Sequence, residues 1–126
     1  MEGDKAKGFY VKPTVFADVK PQMKIAQEEI FGPVLAALKF RDVGEAVEIA
    51  NSTIYGLVSA VWTRDIGVAQ RLAQQIKAGS VWINAYNCFD SSSPFGGYKQ
   101  SGFGREMGPH ALEPYTQVKS VWVSLD

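Results

Sequence analysis

The sequence holds one cysteine, Cys88, and one histidine, His110. A single thiol rules out an internal disulfide, which fits a reducing compartment, and a cytoplasmic setting is expected. One His and one Cys also leave no His/Cys zinc site within the chain, so no metal ligands are assigned. Net charge is missing as well: 13 basic and 13 acidic residues cancel. No clustered Lys/Arg run points to nucleic acid or to an anionic lipid surface, so neither is expected as a partner. Long apolar runs are absent. The longest, residues 34–38 and 57–62, fall far short of the ~20 residues that span a bilayer. The start, MEGDKAKG, has no apolar signal-peptide core. Several catalytic signatures are also absent: no GxGxxG after a strand, no Walker A, no HExxH and no GxSxG.

What is there suits one ordinary domain: 126 residues, 46% of them hydrophobic. Residues 1–8 are polar and expected to fray. Residues 8–19 alternate in part, with Pro13 interrupting, as in an edge strand or two short extended pieces. Residues 18–24 read as a turn. VLAALKF (34–40) reads as a buried strand. Asp42, followed by Glu45, predicts a helix start of capping-box type. Val43, Ala46, Val47 and Ala50 then give one apolar stripe. NSTIYG (51–56) ends that helix, and LVSAVW (57–62) is a second strand. Asp65 caps a second helix, from Ile66 to about Lys77, with Val68, Ala69, Leu72, Ala73 and Ile76 on its buried face. Lys77 suits the helix dipole there, and Gly79 stands where a C-terminal glycine stop is expected. SVWINA (80–85) is a third strand. Strand, helix, strand, helix, strand predicts an α/β fold with a parallel βαβαβ core. Residues 86–104 follow as a long loop. Pro109 begins a short helix that Pro114 stops, and YTQVKSVWVSL (115–125) reads as a last strand.

Few side chains advertise chemistry. His110 alone reads as a surface or helix-start residue. Cys88 reads as a small loop residue, because no base, cation or helix start that would hold a thiolate is evident near it. Glu28 and Glu29 are either solvated charges or, beside the Gly32–Pro33 breaker, an acceptor for a sugar diol, since a carboxylate accepts hydrogen bonds and donates none. Phe31 and Phe89 are loop aromatics that either pack under their own loops or form pocket walls. PFGGYKQSGFGRE (94–106) concentrates glycine. Its Phe95, Tyr98 and Phe103 argue for a packed loop of fixed shape rather than a flexible linker.

Two stretches carry a resemblance: EEIFGPV (28–34) and SPFGGYKQSGFGRE (93–106). GFYVKPTVF, NSTIYGL, SVWINAYN and YTQVKSV support it. Together they resemble the C-terminal quarter of NAD(P)-dependent aldehyde dehydrogenases, from about Gly8 to the end. The resemblance implies an incomplete catalytic-domain core over residues 1–115 and an oligomerisation strand over 116–126. It implies NAD or NADP as cofactor, oxidation of an aldehyde to a carboxylic acid, and a homo-oligomer joined through the final strand. It gives Glu29 the nicotinamide-ribose hydroxyls and Phe31 the nicotinamide side of the cofactor. Phe89 becomes a wall of the aldehyde pocket, with Asn87 and Cys88 beside it. The glycine loop is structural, with no chemical step.

The resemblance also exposes departures. The family's nucleophilic cysteine sits in a Gln/Gly-rich stretch and its general-base glutamate in an ELGGK-type segment; neither stretch occurs here. Cys88 does not match that nucleophile, so no catalytic residue is assigned. Without a nucleophile no covalent adduct with the aldehyde can form, and the chain by itself is expected to be inactive. The alternatives are a non-catalytic assembly module pairing with a homologous or complementary chain, and a truncated product without a function of its own.

Overall fold

The computed structural model describes residues 3–126, which divide into two compact units, one ending at Thr53 and one running Ile54–Asp126. The first holds β1 (Thr14–Phe16), α1 (Lys24–Gln27), β2 (Val34–Ala36) and α2 (Val43–Asn51). The second holds β3 (Val58–Val61), α3 (Ile66–Gln75), β4 (Ser80–Ile83) and two 3-10 turns, Lys99–Ser101 and Pro109–Tyr115. The class is α/β as predicted. Its ladders are two parallel pairs, β1 with β2 and β3 with β4, rather than one continuous sheet. Thr14, Val15 and Phe16 stand opposite Val34, Leu35 and Ala36, so the stretch read as an edge strand is the partner of β2.

The two longer helices, α2 and α3, start as their sequences require. Asp42 accepts the Glu45 N–H at 2.9 Å and Asp65 accepts the Val68 N–H at 3.0 Å, each satisfying one amide that the first turn leaves open. Glu45 reaches back in turn, to the Arg41 N–H at 2.6 Å rather than to Asp42. On α3, Ala69 and Leu72 are buried, and Val68, Ala73 and Ile76 half-buried, which is the predicted face. α3 packs on both β3 and β4, and with Val61 and Ala78 forms the better core. On α2, Val43, Ala46 and Val47 are half-buried while Ala50 is exposed.

Several expectations need correction. The start read as frayed forms a 3-10 turn over Gly3–Lys7, residues 1 and 2 lying outside the described residues. The turn expected over residues 18–24 gives way at Lys24 to the short helix α1. α3 closes at Ile76, so Lys77 lies beyond its last turn. Gly79 is no helix stop. A Cβ there would lie 1.6 Å from the Gly96 carbonyl oxygen, so the glycine is needed for close backbone approach. The final segment, residues 116–126, makes no ladder among the described residues. A strand exists only where another strand takes its backbone hydrogen bonds, and none does so here.

The glycine loop has the fixed shape predicted for it. Phe95 and Glu106 exchange two backbone hydrogen bonds of 2.7 Å and close its neck. The loop docks on the Ile54–Gly56 turn. The Tyr98 N–H donates to the Gly56 carbonyl at 2.8 Å, the Gln100 N–H to the Ile54 carbonyl at 3.0 Å, and the Gly56 N–H to Ser101 Oγ at 3.0 Å. Arg105 Nη1 donates to the Gly97 and Gly104 carbonyls at 3.1 and 2.6 Å, and its guanidinium lies 5.3 Å from the Tyr98 ring centre.

Candidate functional site

In the first unit, the chain between α1 and β2 forms an open cleft of about 570 Å³ whose lining includes Glu28, Glu29, Phe31 and Gly32. The two carboxylates differ. Glu28 pairs with Lys24 at 3.4 Å, one helical turn back. Glu29 makes no hydrogen bond or ion pair among the described residues, so both of its oxygens stay open as acceptors. Phe31 is 93% exposed and sits at φ +53°. For a bulky aromatic that left-handed backbone is a costly outlier, of the kind that collects at ligand sites. The strain holds an apolar ring at the lip of the cleft that carries Glu29. An acceptor-only carboxylate beside an uncovered ring fits a vicinal diol joined to a flat ring. Of the acidic pair, Glu28 is held in a solvated ion pair and Glu29 is left open.

In the second unit, Phe89 stands in an aromatic cluster at the end of β4. Its ring meets Trp82 edge-on at 5.7 Å and Phe95 at 5.3 Å, and Trp82 in turn meets Tyr86 at 5.3 Å. Such edge-to-face pairs add about 0.5–1.5 kcal/mol each beyond the area they bury. A cleft of about 310 Å³ opens beside them, lined by Trp82, Cys88, Phe89, Asp90, Phe95 and Met107, among others. Asp90 caps the next turn: it accepts from the Ser92 N–H at 2.8 Å and from the Ser92 hydroxyl, and these bonds hold its carboxyl below the ordinary Asp value.

Cys88 is exposed, and its Sγ lies 3.7 Å from the Tyr86 carbonyl oxygen, which is neither a base nor a cation. His110 Nδ1 pairs with Glu113 at 2.8 Å on the surface of the last 3-10 turn, as its reading as a surface residue predicts. Asn87 sits at φ +59° and shapes the loop that delivers Phe89. Reading the sequence residue by residue missed Trp82 and Phe95 as partners of Phe89. The available signal was the density of aromatics between residues 82 and 95.

Comparison with known proteins identifies the family. The model described as Aldehyde dehydrogenase family matches residues 1–121. Bacillus subtilis DhaS, which carries an aldehyde dehydrogenase name, is 56% identical over 119 residues, covering 94% of this chain and 24% of its own. The mitochondrial aldehyde dehydrogenase of Rattus norvegicus is 53% identical over 119 residues, again 94% of this chain, and 23% of its own. Among solved structures, a mutant of the P. syringae indole-3-acetaldehyde dehydrogenase AldA, in complex with NAD+ and IAA, superposes with a TM-score of 0.90 at 50% identity, over 98% of this chain and 25% of that one. The chain thus spans about a quarter of the length of the relatives it matches. A family match over nearly the whole chain, relatives more than half identical and a shared α/β backbone make it a member of the aldehyde dehydrogenase family.

Proposed function

We propose that this chain supplies the nicotinamide-ribose contact and one wall of the aldehyde pocket in an NAD(P)-dependent oxidation of an aldehyde to a carboxylic acid. One observation carries the reading: Glu29, free of partners, and Phe31, held outward at φ +53°, share the rim of one cleft. Glu29 accepts from the ribose hydroxyls and Phe31 limits where the nicotinamide ring can lie. The nicotinamide, when bound, supplies the hydride acceptor. Phe89, backed by Trp82 and Phe95, offers the apolar surface against which an aldehyde's side chain packs. NAD+ in the solved relative supports a dinucleotide of this kind. A cytoplasmic setting belongs to the same reading.

The chain alone does not turn over in this reading, because its one thiol faces a carbonyl oxygen and has no base to activate it. Aldehyde-dependent NADH formation by the purified chain alone would defeat that claim. Glu29 is tested in an enzyme reconstituted from this chain and a chain carrying the nucleophilic cysteine and general base. Glu29→Gln exchanges a charged acceptor for a neutral one. It should weaken NAD+ binding and slow hydride transfer by roughly tenfold each, the scale of one charge-assisted hydrogen bond. Unchanged dissociation constants and single-turnover rates remove Glu29 from the ribose.

A second reading is that the chain is an assembly module. Few of its apolar residues are buried, while Val118, Val121, Trp122, Val123 and Leu125 in the unpaired final segment are all exposed. Residues 116–126 would add as a strand to a second copy or to a complementary chain. Co-purification with a complementary chain, with activity restored, supports both readings. Stable pairing without restored activity supports the second alone. A monomer that binds neither has no function of its own.

A further inference from the structure

The route that brings Phe89 to its cleft is specified by side chains of the strand before it. β4 ends at Ile83, and the Asn84 N–H still donates to the Val61 carbonyl at 2.8 Å. There the backbone leaves the sheet, with Asn84 at φ +53°, a conformation that asparagine tolerates better than most residues. Its side-chain amide takes over the pairing that the backbone gives up. Oδ1 accepts from the Thr63 N–H and Nδ2 donates to the Thr63 carbonyl, each at 2.9 Å. An amide group carries the donor and acceptor of a peptide, so it serves as one extra rung between the ends of β3 and β4.

The chain turns again at Asn87, φ +59°, and the Cys88 carbonyl accepts from the Trp82 indole N–H at 2.9 Å. Phe89 is the next residue. Phe89 is 53% exposed, so burial alone does not fix it. Trp82 holds it from one side, both by the edge-on ring contact and by pinning the carbonyl one residue earlier. Phe95 holds it from the other, and is itself tied to Glu106 by two hydrogen bonds of 2.7 Å.

We propose that Asn84 and Trp82 are positioning residues for Phe89, and that they thereby set the size of aldehyde admitted beside its ring. The proposal rests on the reading of Phe89 as a wall of the aldehyde pocket. Losing the Asn84 rung frees the turn after β4. Losing the indole donor frees the Cys88 carbonyl. In either case the ring swings while both strands remain.

The test uses the 126-residue chain with two probes, benzaldehyde and acetaldehyde, followed by NMR at the Phe89 ring. Trp82→Phe keeps an aromatic ring and removes the donor. Asn84→Gly keeps the left-handed backbone and removes both amide bonds; Asn84→Asp keeps the acceptor arm and loses the donor. In Trp82→Phe and Asn84→Gly, ring-to-ring nuclear Overhauser contacts between residues 82 and 89 should weaken with far-UV circular dichroism unchanged. The preference for benzaldehyde over acetaldehyde should fall about fivefold, the scale of one aromatic pair. Asn84→Asp should recover part of both. Contacts and preference unchanged in Trp82→Phe overturn the positioning role, and that variant decides if Asn84→Gly unfolds the chain. A ring that moves while neither aldehyde shifts Phe89 in any chain, the parent included, overturns the pocket reading and size selection with it.

Discussion

The β3–β4 sheet has α3 packed on both strands, and Val61, Ala69, Leu72 and Ala78 are buried around it. The β1–β2 sheet has no comparable helical cover among the described residues, and Val15, Phe16 and Leu35 along its strands are exposed. Both pairs are parallel, and parallel strands ordinarily lie buried on both faces. The difference teaches where each unit's stability resides. The second unit holds itself together through a helix and a docked loop. The first leaves strained and uncovered groups, Phe31 among them, exposed. Glu29 and Phe31 sit on the less consolidated unit, and the Trp82, Phe89 and Phe95 cluster on the more consolidated one.

The sharpest way to break this comparison is at Gly79. An alanine methyl there would overlap the Gly96 carbonyl oxygen at 1.6 Å, with backbone on both sides of the clash. Gly79→Ala should cost about 3 kcal/mol or more and release the glycine loop, read as a drop in urea midpoint and as lost amide protection at Tyr98 and Gln100. An unchanged midpoint would show that the loop is not what consolidates the second unit. Next comes a matched pair of deletions. Leu72→Ala removes a side chain that is 9% exposed and should cost about 2–3 kcal/mol. Leu35→Ala, on β2 and 59% exposed, should cost less than about 1 kcal/mol. Equal losses in chemical denaturation would erase the contrast between the sheets.

Smaller effects sharpen it. Asp65→Ala removes the cap on Val68 and should cost about 1 kcal/mol, read as earlier melting of α3. The smallest effect is electrostatic. The Arg41 backbone N–H and guanidinium hold the Glu45 carboxyl below its ordinary value of 4.5, so the unfolded chain takes up that proton at a higher pH than the folded one. The contribution is therefore complete above the ordinary value and is lost as pH falls through the lowered one. Arg41 is exposed and Glu45 partly covered at the surface, so the effect is slight. Corrected for the intrinsic exchange rate, protection of the amides at the start of α2 should fall as pH drops below about 4.5, and that dependence should vanish in Glu45→Gln. A profile unchanged by the substitution would show that the Arg41 contacts do not stabilise the helix start.

The family was legible without coordinates. EEIFGPV and PFGGYKQSGFGRE led to the family that the comparisons then established. Chemistry pointed to the Glu28–Glu29 pair, because a carboxylate offers acceptors to a diol, and the resemblance singled out Glu29. The chemistry alone did not separate the two, whereas the structure pairs Glu28 with Lys24 one helical turn back, in a helix the sequence reading did not predict. Phe89 was named through resemblance, but its neighbours were not. Trp82 and Phe95 lie seven residues before and six after it, spacings that belong to no single element's period. Left-handed backbone at Asn84 and Asn87 lies on the path from Trp82 to Phe89, and Phe95 is held by its two hydrogen bonds to Glu106.

By itself, the sequence determined the α/β class, the caps at Asp42 and Asp65, the buried face of α3 and the packed character of the glycine loop. Each is local: a side chain beside its own backbone, or a period of 3.6 residues read along one helix. Tertiary structure alone decided which strands pair, why position 79 must be glycine, and how Phe89 is held. Those depend on atoms distant in sequence occupying the same few ångströms, and no local pattern records that distance.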